Sequence, residues 1–64
     1  MFTQRMIDAL QAQHSDLIGC LNTYDARQRN GEAVDTLLVE ETVTAVRRIK
    51  RALNTLYIRA ERAQ

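Results

Sequence analysis

Sixty-four residues carrying nine basic and eight acidic side chains, a net charge of +1, can form one small domain (1–64) and offer no charge excess that would by itself select nucleic acid. A chain this short buries a modest fraction of its unfolded surface and needs a staple or a partner. One cysteine (Cys20) and one histidine (His14) exclude an internal disulfide and a structural zinc site, so association is what remains.

Apolar residues make up 45% of the chain, but proline and tryptophan are absent and only Phe2, Tyr24 and Tyr57 are aromatic, a profile that suits helices better than sheet. The first predicted helix runs from about Thr3, its candidate N-cap, to Arg29. Phe2, Met6, Leu10, Leu17, Cys20, Leu21 and Tyr24 share one face of its wheel, with Ile7 and Ile18 at the edge. Arg27 and Arg29 complement the C-terminal end of its dipole.

Asn30-Gly31 is the clearest punctuation, because both residue types accept the left-handed conformation that ends a helix. The second helix is placed at about 32–62; capping by Asn30 or Gly31 starts it at Glu32, and capping by Asp35 or Thr36 starts it later. Its charges are segregated, with Glu32, Asp35, Glu40 and Glu41 early and Arg47, Arg48, Lys50, Arg51, Arg59 and Arg62 late, which opposes the helix dipole at both ends.

Val34, Leu38, Ala45, Ile49, Ala52, Leu53, Leu56 and Ala60 fall on one side of this second helix, and Val39, Val43, Val46 and Tyr57 extend it. The apolar arc covers roughly half the circumference, where an ordinary surface helix needs ~100°. The expected fold is therefore all-α: an antiparallel two-helix hairpin that completes a coiled-coil-like helical bundle by homodimerisation or with a partner protein. In that register Tyr24 approaches Leu37 and Leu38, Leu10 and Met6 approach Ala52 and Leu56, and Phe2 approaches Tyr57 and Ile58.

A hairpin sibling can cover only a strip of so wide a face. Ile18, Val39, Val43, Val46, Leu53 and Tyr57 are the residues expected to meet a protein partner. Arg47, Arg48, Arg51 and Arg62 are candidates for contact with nucleic acid or an acidic partner, although no aromatic residue accompanies them for base stacking. His14, within the apolar arc of the first helix, reads as a core-edge histidine paired to a polar neighbour, and Cys20 as a small buried apolar residue. Gly19 reads as a tolerated helical glycine.

No acid–base pair, activated nucleophile or phosphate loop is present, so neither an enzymatic activity nor a cofactor, metal or small-molecule substrate is expected. The balanced polar faces and the lack of boundary tryptophan argue against a membrane-surface helix. The first residues lack the apolar run of a signal peptide, and the default location is cytoplasmic, which a free thiol suits.

The layout of helix, Asn30-Gly31 turn and second helix, with Thr36-Leu37-Leu38-Val39-Glu40 opening that helix and Leu56-Tyr57-Ile58-Arg59 near its end, resembles the small co-chaperones of type III secretion needle subunits. The resemblance implies a non-enzymatic adaptor that binds a helical-repeat chaperone and helps to keep the needle subunit monomeric before export. In size and layout the chain is also similar to Rop-type RNA-binding hairpin dimers, which implies a regulatory homodimer as the alternative. A phage- or plasmid-encoded inhibitor that masks a host protein would share the same apolar physics.

Overall fold

The computed structural model describes residues 2–62, the side chain of Phe2 excepted. Two helices, α1 (Phe2–Arg29) and α2 (Thr36–Arg62), pack against each other over their length and form a rod of 50 × 15 × 13 Å. At 1.5 Å per residue they are ~42 and ~40 Å long, so neither overhangs the other by much. The expected approach of Phe2 to Tyr57 and Ile58 lies outside the described residues.

The turn at 30–35 is built from two backbone devices. Gly31, at φ 80°, donates to the Gln28 carbonyl (3.1 Å) while Glu32 N–H reaches the Arg27 carbonyl (3.0 Å). That pair of bonds is a Schellman motif, which satisfies carbonyls that the end of α1 would otherwise orphan. The second device settles where α2 begins. The Asp35 carboxylate accepts from Leu37 N–H at 3.0 Å and Leu38 N–H at 3.4 Å, and the Asp35 carbonyl accepts the first helical bond from Val39 at 3.1 Å. Helix α2 therefore starts at Thr36, four residues later than a start at Glu32. Thr3 is likewise a correction: it lies inside α1, which already begins at Phe2.

Between the helices runs one seam with alternating steps of four and three residues. On α1 it consists of Thr3, Ile7, Leu10, His14, Leu17, Leu21 and Tyr24; on α2 of Val39, Thr42, Val46, Ile49, Leu53, Leu56 and Ala60, and all of these are buried or half-buried. This is the 3.5-residue period of knobs-into-holes packing. Antiparallel pairing of the two seams sets successive layers: Ile7 with Leu56, Leu10 with Leu53, His14 with Ile49, Leu17 with Val46, Leu21 with Thr42 and Tyr24 with Val39. Ile7, Leu53 and Leu56 form the buried cluster, with Leu10 and Ile49 packed on it.

Two polar residues sit in this seam. Thr42 is buried, but its hydroxyl donates to the Leu38 carbonyl at 2.8 Å, so its polarity is absorbed by the preceding turn of its own helix. His14 is not satisfied in that way. Its Nε2 is sealed from solvent with no hydrogen-bond partner among the described residues, between apolar layers on either side. The expected polar neighbour is missing because the seam register sets His14 against Ile49.

Leu10, Leu17, Leu21 and Tyr24 of the expected α1 face are half-buried in the seam, and the differences lie at Ile7, Met6 and Cys20. Ile7, placed at the edge of the face, is its most buried member at 4% exposure, whereas Met6 and Cys20, placed within the face, are exposed. Leu10 packs on the cluster that contains Leu56, as expected, but that cluster holds Leu53 in place of the expected Ala52, and Met6 is not part of it. The reason is that α1 carries two interleaved apolar rows one residue apart, and α2 selects the row through Ile7.

Candidate protein interface

With the seam fixed, each helix has two flanks, and antiparallel packing places equivalent flanks on the same long edge of the rod. One edge carries Gln4, Gln11, Ile18 and Asp25 of α1 with Thr36, Val43, Lys50 and Tyr57 of α2. Its side identity is established directly, since Gln11 Nε2 donates to the Tyr57 hydroxyl across the hairpin. The other edge carries Met6, Gln13, Cys20 and Arg27 of α1 with Leu38, Ala45, Ala52 and Arg59 of α2.

This second edge is where unsatisfied apolar surface collects on both helices. Met6 and Leu38 are 51% and 44% exposed, Cys20 is exposed, and Ala45 and Ala52 are only half-buried. A strict two-stranded coiled coil needs two apolar positions per heptad, whereas a helix that serves a bundle shows three. Here the third position on this edge is apolar at Met6, Cys20, Leu38, Ala45 and Ala52 and polar at Gln13, Arg27 and Arg59. The residues between its apolar members form two shallow open concavities. One, on α1, is lined by Asp16, Gly19, Cys20, Thr23, Tyr24 and Arg27; the other, on α2, by Leu37, Glu40, Glu41, Thr44, Ala45, Arg48 and Ile49. Space is open above Gly19, where an added Cβ would meet nothing within 4 Å.

The residues expected at a partner interface are redistributed by this geometry. Val46 and Leu53 are each 8% exposed and belong to the seam with α1, so they hold the hairpin together and are not available to a second protein. Val39, in the layer with Tyr24, is half-buried in the same seam. Ile18 and Val43 are half-buried on the Gln11–Tyr57 edge, and Tyr57 is 41% exposed there with its hydroxyl engaged. Leu37 and Ile58 are exposed near opposite ends of the outward face of α2. The exposed apolar residues missed by sequence reasoning are therefore Met6, Leu37, Leu38 and Ile58, and the signal that could have found the edge was the seven-residue spacing of Leu38, Ala45 and Ala52.

Arg47, Arg48, Arg51 and Arg62 are all exposed on α2. Among the described residues the one ion pair is Arg29–Asp25 (2.9 Å), an exposed contact four residues apart on α1, so the α2 arginines carry uncompensated charge. No group of three or more His, Cys, Asp or Glu among the described residues is arranged to hold a metal ion. Nor is either described helix long and apolar enough to cross a membrane. Comparison with protein-family models, with curated proteins and with solved structures returns no match.

Proposed function

We propose that the chain is a docking module with no enzymatic chemistry of its own, which seats against a helical protein along the Met6–Leu38 edge. The observation that carries this reading is the apolar flank that Met6 and Cys20 of α1 form with Leu38, Ala45 and Ala52 of α2 at one common edge. An edge of this kind lets further helices complete a bundle at the cost of few charged groups. The resemblance to type III secretion co-chaperones gives this module a concrete role, that of an adaptor for a helical-repeat chaperone in the cytoplasm, where an exposed Cys20 stays reduced.

Replacing Met6 and Leu38 together by Asp tests the reading, because both side chains lie outside the hairpin seam. The expected result is unchanged helicity with loss of association, measured by sedimentation and by capture of partner protein from the native extract. A wild-type chain that is a folded monomer and captures no helical protein overturns it.

A second reading is supported by the outward face of α2. Arg47, Arg48, Arg51 and Arg62, with Arg59 beside them, are exposed and unpaired among the described residues, which suits a polyanion. If duplex nucleic acid is the ligand, log–log plots of affinity against salt should slope by about −0.9 per phosphate neutralised. Absence of binding at low salt removes this reading.

A further inference from the structure

We infer that the occupant of the Met6–Leu38 edge is a second copy of this chain, laid alongside the first with both turns at the same end, so that two hairpins close a four-helix bundle. The inference rests on the docking reading above and names the partner.

Area supports a partner of this size. The chain exposes 5414 Å². A compact chain of 7.3 kDa would expose about 4,200 Å², leaving an excess of about 1,200 Å² per copy. Two copies hiding that excess would bury about 2,400 Å² in total, which falls in the range of obligate homodimers.

Charge decides the arrangement. The α1 concavity carries Asp16 near mid-rod and Arg27 near the turn; the α2 concavity carries Arg48 near mid-rod and Glu40 and Glu41 toward the turn. None of these makes an ion pair among the described residues. A two-fold axis along the rod sets α1 against α2 of the other copy, antiparallel. Asp16 then lies level with Arg48 of the second copy, and Arg27 lies about five residues, ~7–8 Å along the axis, from its Glu41, a gap that two long side chains span. Both contacts occur twice by symmetry. A two-fold axis across the rod would instead bring Asp16 level with Asp16 and Arg48 level with Arg48. Between the charges, Gly19, Cys20 and Thr23 face Thr44 and Ala45 of the other copy, low relief on both sides that permits close approach.

Sedimentation equilibrium over a concentration series, with circular dichroism to confirm helicity, tests the inference. The wild-type chain is expected to sediment at twice 7.3 kDa. Asp16→Arg or Arg48→Asp alone should raise the dimer dissociation constant at least about tenfold, because each places like charges together twice. The double variant Asp16→Arg/Arg48→Asp should recover wild-type pairing, and so should an equimolar mixture of the two single variants. Single reversals that leave the constant unchanged, or a double variant that fails to recover, overturn this arrangement. A wild-type monomer that binds a separate helical protein overturns self-pairing and leaves the docking reading standing. A folded monomer that binds no helical protein, or only nucleic acid, overturns both.

Discussion

The two long edges of the rod flank the same seam and meet at the same turn, yet they end in different chemistry. On the Gln11–Tyr57 edge, Gln11 caps the tyrosine hydroxyl, Gln4, Asp25, Thr36 and Lys50 occupy equivalent positions, and the apolar Ile18 and Val43 are half-buried. On the Met6–Leu38 edge most of the equivalent positions are filled by Met6, Cys20, Leu38, Ala45 and Ala52, with Gln13, Arg27 and Arg59 at the others. A single residue per heptad on each helix thus separates a finished surface from an unfinished one. Helix pairing depends on the seam, whereas what the pair does next depends on the flank.

The most severe way to break the comparison is to remove the seam that both edges share. Leu53→Asp puts a carboxylate into the cluster with Ile7 and Leu56 and should cost more than ~4 kcal/mol, comparable to the whole stability of so small a fold. Far-UV circular dichroism should show most helicity lost. The matched pair Leu38→Asp and Tyr57→Asp sharpens it, since the two side chains are 44% and 41% exposed but lie on opposite edges. Leu38→Asp should lose association worth ~1.5–3 kcal/mol per copy, and Tyr57→Asp should leave the solution mass unchanged. Equal effects on mass would erase the distinction between edges.

His14→Leu should stabilise the hairpin by about 1–2 kcal/mol in thermal unfolding, since it replaces an imidazole nitrogen with no partner by an apolar group in an apolar layer. Asp35→Ala should cost ~1 kcal/mol through the lost cap, with both edges unaltered in kind. Tyr57→Phe should have the smallest effect, ~0.5 kcal/mol, because the hydrogen bond with Gln11 is exposed to solvent.

The hairpin itself was legible in the sequence because its signals are local: apolar period, Asn30-Gly31, and charge segregated along α2. The start of α2 was not, because Gly31 and Asp35 are both competent caps and only the carboxylate's bonds to Leu37 and Leu38 choose between them. Which apolar row faces the sibling helix and which faces outward was not legible either, for a related reason. Met6 and Cys20 on α1, and Leu38, Ala45 and Ala52 on α2, lie at heptad spacings as regular as those through Ile7 and Val46. A wheel drawn for one helix ranks both rows alike, so Val46 and Leu53 were assigned outward although they face α1. Only the simultaneous register of two helices separates them.

The position of the buried cluster along the rod has a kinetic consequence. Ile7, Leu53 and Leu56 lie toward the open end, far from the Schellman turn at Gly31. The contacts that demand the longest loop closure are therefore the most strongly rewarded, while those beside the turn, where Leu37 and Leu38 stay exposed, return little. A chain organised in this way should not zip up gradually from its bend. It should fold in one concerted step, with the far end acting as the latch, and a nick in the turn should release the two halves slowly.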